Sequence, residues 1–349
     1  MWIDQTKSGT LRMRERFKID GKWQYVSVPL EKDTPQARRR ATEALEEKKN
    51  AILHPTAKKP VKSLMELYMS KKDCRPSTMA NVKRGLIEIY KVIGEMPMDP
   101  ALINQKLLEY QKKPCTVNLY LRQFRAFLRW CFRYGYIAED IAPRIVDIPD
   151  KVQKKDPDLK YLERDELAAA LDQMSGMYLY LSKFLVLSGC RIGEAVALTM
   201  EDLDQEYIHV TKTYTEFGIG EPKTMASRRD VSIQKDLADL LEEYKRWRLL
   251  YMVSRGIRTD LLFFSIHGNH IRRNEFSRAL NRIQSPKHIH AHMFRHTHVA
   301  ILAEQGIPLD VISRRLGHED SRITKDIYFH VTKQLKQKDA EIMANVKII

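Results

Sequence analysis

Residues 147–160, DIPDKVQKKDPDLK, set the first limit on what this chain can become. Acids and lysines alternate along the stretch, Pro149 and Pro157 interrupt it, and Pro143 lies just upstream. A segment with no apolar face and repeated breaks in backbone hydrogen bonding cannot cross a core. It reads as the main interdomain linker. The length agrees, since 349 residues suffice for two or three domains that each bury a core.

The pattern differs on the two sides of that break. Residues 2–30 read as strands, because TLRMRERF and WQYVSVPL alternate side chains and DGK (Asp20–Lys22) between them is a hairpin turn signal. TPQARRRATEALEEKKNAIL follows as a helix, with Thr34 as N-cap and Pro35 at the first helical position. HPTAKKP (54–60) reads as a second linker. From 61 to 148 the period is helical: VKSLMELYMSKK, then RPSTMANVKRGLIEIYKVIG from a Ser-Thr cap to Gly94, then TVNLYLRQFRAFLRWCFRYGYI. The last of these sets Leu121, Phe124, Phe127 and Leu128 on one stripe. Beyond the main linker the chain is mostly helical, with one β-rich insert made of YIHVTKTYT (207–215), the turn FGIGEP and RRDVSI (228–233). The expected fold is mainly α, an α+β multidomain chain in three parts. Residues 1–58 form a small three-stranded sheet plus helix, 61–148 a helical domain, and 159–349 a mostly helical domain with a β-rich insert and a C-terminal tail.

Charge narrows the function. The formal net charge is +15 and the pI is near 9.5. Such an excess of Lys and Arg points to a polyanionic partner, bound by phosphate neutralisation and counterion release. Arg122, Arg125, Arg129 and Arg133 lie on the other side of TVNLYLRQFRAFLRWCFRYGYI from its apolar stripe, and Lys83 and Arg84 in RPSTMANVKRGLIEIYKVIG are further DNA-binding candidates. That basic side reads equally as a phosphate-tracking surface or as a solvated helix face. Charge alone does not separate DNA from RNA or an anionic membrane. No apolar run reaches the roughly 20 residues a membrane span needs, and the N-terminus lacks a signal-type apolar core. The four cysteines, Cys74, Cys115, Cys131 and Cys190, include no CxxC pair, which fits a reducing cytoplasm.

HMFRHTH (292–298) invites a metal reading, because His292 and His296 are four apart. At about 100° per residue the two lie about 40° apart, but His298 points about 240° from His292. Three histidines do not converge on one ion. Arg295 sits about 60° from His292 on the same face, where a fixed cation opposes a divalent metal, and no HExxH glutamate follows. No metal is expected. The same face suits an anion, with an arginine fork for bidentate phosphate binding beside an imidazole. His298, at helical spacing with Phe294, Ile301 and Leu302, reads as structural, and His296 leans the same way.

Two further stretches carry candidates. LSGCRIGEAVALTMEDLD (187–204) holds Arg191 at a helix start with Glu194 one turn on, which taken alone reads first as a structural ion pair. In RRLGHEDSRITKDIYFHV (314–331), Gly317 ends a helix, His318 follows in the turn, and Tyr328 lies in the next amphipathic segment.

The ordered set resembles the tyrosine recombinase (phage integrase) family. That family carries an Arg in G-x-R-x-x-E, a β-hairpin Lys, H-x-x-R, a His or Trp after L-G, and Y-x-H. Here these are GCRIGE (Arg191, Glu194), PKTMASRR (Lys223), HMFR (His292, Arg295), LGHED (His318) and YFH (Tyr328), in order and at matching spacing. The 61–148 segment is similar to the core-site DNA-binding domain of the family. Residues 1–58 look like the arm-site DNA-binding domain of integrases from prophages and conjugative or other mobile elements. Two departures stand out. Met200 occupies a packing position where many members have Trp, and Lys212 in VTKTYT rivals Lys223.

The resemblance implies a chemistry. Tyr328 attacks a scissile DNA phosphate, giving a 3′-phosphotyrosyl enzyme and a free 5′-hydroxyl that can reverse the step without ATP or a cofactor. Arg191 and Arg295 clamp the nonbridging oxygens, and His318 adds a hydrogen bond. Lys223 protonates the leaving oxygen, His292 accepts the phenol proton, and Glu194 orients Arg191 or His292. It further implies a cytoplasmic homotetramer on double-stranded DNA at core and arm sites, with an excisionase and a host DNA-bending protein as partners. A C-terminal tail, 333–349, would dock on a neighbour or cap its own domain. A type IB topoisomerase shares the chemistry, and a DNA-binding regulator on a decayed scaffold is the non-catalytic alternative.

Overall fold

A computed structural model describes residues 1–5, 10–19, 22–30, 32–53, 59–149, 160–222, 227–317 and 322–344. The chain forms two compact units, Met1–Val152 and Gln153–Ile349. Most of the expected linker, 150–159, and residues 54–58 of HPTAKKP lie outside the described residues.

In the first unit, β1 (Trp2–Gln5), β2 (Leu11–Ile19) and β3 (Lys22–Leu30) make one antiparallel sheet in the order β1-β2-β3. The register from Leu11↔Leu30 to Ile19↔Lys22 leaves Asp20 and Gly21 between the strands, outside the described residues. Strand alternation sends Met13, Phe17, Val26, Val28 and Leu30 to one face. There Ala41 and Leu45 of α1 (Pro35–Leu53) complete a small core. The cap expected for α1 is present, with the Ala37 N–H donating to Thr34 Oγ1 at 3.3 Å. The opposite face carries Arg12, Arg14, Arg16 and Lys18 of β2 beside Trp23 and Tyr25 of β3, which are 52% and 60% exposed. The Arg16 guanidinium lies 4.2 Å over the Trp23 ring.

The helical part comprises α2 (Val61–Lys71), α3 (Pro76–Ile93), α4 (Pro100–Leu108) and α5 (Pro114–Arg133), followed by a short 3-10 turn at Ala142–Arg144. Three of these helices open on proline, whose missing N–H costs nothing in the first turn. That corrects one expectation: α3 is capped at Arg75 without a side-chain cap bond, and Ser77 and Thr78 fall inside its first turn because Pro76 takes the first helical position. The α5 stripe is buried as its spacing predicts, with Leu121, Phe124, Phe127 and Leu128 all at 0% exposure. Each such side chain contributes about 1.5–3 kcal/mol through burial. Of the α5 arginines, Arg122, Arg129 and Arg133 are exposed. Arg125 instead turns inward, donating from Nε to the Ile145 carbonyl (3.0 Å) and from Nη2 to Asp147 (2.6 Å), so it ties α5 to the chain that follows. Lys83 and Arg84 are exposed on α3.

The second unit is mostly helical. Its elements are α6 (Arg164–Asp172), α7 (Gly176–Ser188), the single-turn α8 (Ile192–Ala195), β4 (Tyr207–Val210), β5 (Thr213–Thr215), β6 (Gly218–Gly220) and β7 (Arg229–Ser232). They continue with α9 (Lys235–Arg255), α10 (Arg273–Leu280), α11 (Ala291–Glu304), α12 (Leu309–Leu316) and α13 (Arg322–Ala344). The β-rich insert is two short antiparallel ladders, β4 with β7 and β5 with β6. The apolar α7 supplies Leu181, Phe184 and Leu185 to a core shared with Leu240 and Tyr244 of α9 and Phe294 of α11. A second cluster joins Val299, Ala300 and Ala303 of α11, Ile312 and Leu316 of α12, and Ile327 and Val331 of α13. The tail from 333 continues α13 to Ala344, and Val346, Ile348 and Ile349 lie outside the described residues. Among the described residues no helix is long and apolar enough to cross a membrane.

Candidate active site

Two helix C-termini build the candidate site. The last carbonyls of a helix have no partner within it and carry the negative end of its dipole. In α7 these carbonyls are taken by side chains from distant segments. Val186 O accepts from His298 Nδ1 (2.7 Å), Leu187 O from Gln234 Nε2 (2.7 Å), and Gly189 O from Arg295 Nη1 (2.6 Å). At the end of α12, Arg315 O accepts from Arg229 Nε and Leu316 O from Arg295 Nη2, both at 2.7 Å. Neutral carbonyls at two negative helix ends thus hold buried guanidiniums.

Gly189 makes the convergence possible. It caps α7 at φ 67°, and a Cβ there would meet His298 Cδ2 at 2.6 Å and Leu316 Cδ2 at 2.8 Å. Backbone conformation and space both demand glycine. The turn releases Arg191, the N-cap of α8, whose Nη1 donates to Glu194 Oε1 at 2.6 Å. Glu194 Oε2 accepts from the Arg191 backbone N–H (2.9 Å) and from Arg229 Nη2 (3.0 Å). Gly193 lets β5 lie directly on α8, since a Cβ there would stand 2.8 Å from Thr213 Oγ1 and 2.9 Å from Tyr214 O.

The electrostatics follow from burial. Burial by itself would raise the Glu194 carboxyl, but Arg229 and Arg191 outweigh it and hold the group below the usual carboxylate range. Arg295, 3% exposed, is pulled down to about 9 by burial and then by the Arg191 charge, and still carries its proton at neutral pH. Burial, with Arg273, Arg295, His290 and Arg191 around it, lowers the His292 imidazole below its ordinary value. The surroundings of His292 thus favour the neutral imidazole over the charged one. Burial takes His296 down to about 4, with His292 and His290 adding to it. His298 falls to about 3, through burial and then Arg315. Its Nδ1 faces a carbonyl and so carries the hydrogen, which makes Nε2 an acceptor, filled by Arg315 Nε at 3.2 Å.

The structure therefore brings Arg191, Glu194 and Arg295 into one network and sets His292 beside it. Tyr328 lies on α13, half-buried against the cluster formed with α11 and α12. Lys223 and His318 lie outside the described residues. The rival Lys212 is engaged, 2.8 Å from Asp202 and 3.3 Å from Thr199 Oγ1. Met200 is half-buried against the main core. No group of three or more His, Cys, Asp or Glu among the described residues is arranged to hold a metal. Sequence reasoning missed Arg229, whose side chain is 6% exposed. The doubled arginine of SRR, ahead of an alternating strand, was its one signal.

Comparison with known proteins places this geometry. The family described as the phage integrase family matches residues 160–335. The "Prophage ps2 probable integrase" of Lactococcus lactis subsp. lactis (strain IL1403) is 29% identical, over 98% of this chain and 99% of its own. The "ICEBs1 integrase" of Bacillus subtilis (strain 168) is 37% identical over 44% of each chain. Among solved structures, the Tn1549 transposon integrase in complex with a circular intermediate DNA aligns with a TM-score of 0.64 at 18% identity, covering 80% of this chain and 99% of that one. A lambda integrase dimer bound to a core site aligns with a TM-score of 0.63 at 14% identity, covering 93% and 94%. With the family matched across half of its length, this chain belongs to the phage integrase family, as a tyrosine recombinase of the mobile-element type.

Proposed function

We propose that this protein cleaves and rejoins double-stranded DNA through Tyr328 to integrate and excise a mobile element. The observation that carries the reading is half-buried Arg191 paired with buried Glu194 and Arg229, beside buried Arg295, with His292 on the same helix as Arg295. Attack by the phenol forms the O–P bond to Tyr328 and breaks the bond to the 5′ oxygen. Negative charge grows on the nonbridging oxygens, where fixed guanidiniums act without reorganising. Arg191 and Arg295 meet that charge and His318 adds a hydrogen bond. His292 takes the phenol proton, and Lys223 protonates the leaving 5′ oxygen.

Three working parts divide the labour in this reading: an arm-site domain (1–58), a core-site domain (61–148) and a catalytic domain (159–349). The open sheet face with Arg16, Lys18 and Trp23 would serve the arm sites, and Lys83, Arg84 and Arg122 the core-site backbone. Solved relatives are described as a dimer on a core site and as a tetramer on a Holliday junction. A tetramer of this chain on two duplexes follows, with an excisionase and a host DNA-bending protein as accessory partners. The test is a pair of assays on the purified protein, two-site recombination between the element's end junctions against relaxation of a supercoiled plasmid without them. Recombination with tyrosine-linked DNA is expected, and relaxation alone would indicate a topoisomerase.

Two outcomes bear on single groups. Cleavage should proceed at an unchanged rate in EDTA, because Arg191, Arg273 and Arg295 crowd the imidazole a metal would use; activity lost in EDTA and restored by zinc would overturn this. Lys223→Ala should slow cleavage about 100-fold or more on ordinary DNA, with the rate recovered when the 5′ leaving oxygen is replaced by sulfur. Recovery of Lys212→Ala instead would move the acid to Lys212.

A further inference from the structure

Arg315 enters none of these steps, yet its guanidinium reaches Leu187, Ser232, Gln234 and His298. Its Nη1 donates to Ser232 O and Oγ, both at 2.9 Å, and its Nη2 to Gln234 Oε1 (2.6 Å) and Leu187 O (3.2 Å). Its Nε donates to His298 Nε2. The side chain thereby ties the end of α12 to the end of α7, to β7 with the residues after it, and to α11. Its acceptors among the described residues are all neutral: two backbone carbonyls, a hydroxyl, an amide oxygen and a ring nitrogen. Meanwhile its own carbonyl holds Arg229, and the next one, Leu316 O, holds Arg295.

We infer that Arg315 is a positioning residue for the phosphate clamp. Its planar fork fixes the last turn of α12, and the two carbonyls of that turn then seat Arg229 and Arg295. Arg229 fixes Glu194, and Glu194 fixes Arg191. A lysine cannot reproduce this, because one ammonium does not reach acceptors spread across a guanidinium plane. The inference rests on the reading of Arg191 and Arg295 as the phosphate-binding pair. Arg315 also lines a cavity of about 520 Å³ with Leu187, Ile301 and Val311, so shortening its side chain opens space and forces no overlap.

The test measures single-turnover formation of the tyrosine-linked adduct by the full chain. The probe is a nicked duplex carrying the junction sequence recovered from DNA flanking the reading frame. It is made once with the natural scissile phosphodiester and once with a methylphosphonate, which lacks the charged nonbridging oxygen. Arg315→Ala should slow adduct formation about 30- to 300-fold on the phosphodiester, somewhat less than the roughly 100- to 1000-fold of deleting a charge-stabilising donor outright, because it acts through Arg295 and Arg191. On the methylphosphonate, whose transition state carries less charge to neutralise, the deficit should shrink to about threefold or less. Arg315→Lys should fall between wild type and Arg315→Ala on the phosphodiester, and it keeps the test usable if the alanine variant does not fold. Thermal unfolding and duplex binding are measured beside both. Equal slowing on the two probes would reduce Arg315 to a scaffold residue, and no slowing on either would make its contacts idle; both overturn the inference. A wild-type protein that forms no tyrosine-linked adduct on the phosphodiester would overturn the catalytic reading itself, and this inference with it.

Discussion

Tyr328→Phe should abolish the covalent protein–DNA adduct and leave duplex binding within about threefold of wild type, since in the proposed mechanism only the nucleophilic oxygen is lost. The phenyl ring keeps its place against the α11–α12–α13 cluster. Isosteric loss of one hydroxyl at a half-buried site shifts stability by roughly 0.5 kcal/mol and the unfolding temperature by about 2 °C or less. The measurement is a denaturing gel of labelled DNA after incubation, beside a binding titration. An adduct that survives the substitution would move the nucleophile elsewhere, and lost binding with a lowered unfolding temperature would assign the tyrosine to the fold.

The second large effect concerns Glu194. Its carboxylate is 2% exposed and is the shared counter-charge of Arg191 and Arg229. Glu194→Ala takes from Arg191 and Arg229 the carboxylate they share. Breaking a buried pair from one side costs about 3–5 kcal/mol, which for a domain of this size lowers the unfolding temperature by roughly 6–20 °C. Cleavage at a temperature where the variant is folded should fall about 100-fold or more, because Arg191 loses its fixed direction. Glu194→Gln keeps volume and one acceptor oxygen but not the charge, so it separates cavity from electrostatics. A glutamine variant as stable and active as wild type would show that hydrogen bonding alone holds the arginines.

These effects trace back to features of unequal legibility. The α5 stripe, the Thr34 cap and the strand alternation of 11–30 are local patterns, set by periods of 3.6 and 2 residues and by single capping groups. They were legible, as was the placing of His292 and Arg295 on one helix, because a single 3.6-residue period suffices for that. The Ser-Thr cap assigned to α3 failed over one residue: Pro76 claims the first helical position whatever follows it.

Arg229 and Arg315 were not legible as site residues. Each stands among other arginines, in SRR and in RRL, and nothing in the local pattern separates the buried one from its solvated neighbour. Arg228 and Arg314 face outward and pair with Glu221 and Asp310 on the surface. Which arginine turns inward is decided by acceptors far along the chain: Glu194 is 35 residues from Arg229, and Leu187 is 128 from Arg315.

By itself, then, the sequence determined most of the elements, the Thr34 cap and, through short motifs in a fixed order, the family. Tertiary structure alone decided which guanidiniums are buried and what holds them. That depends on the carbonyls left unpaired within α7 and α12 at their ends, which acquire partners 21 to 128 residues away as those segments close around Gly189.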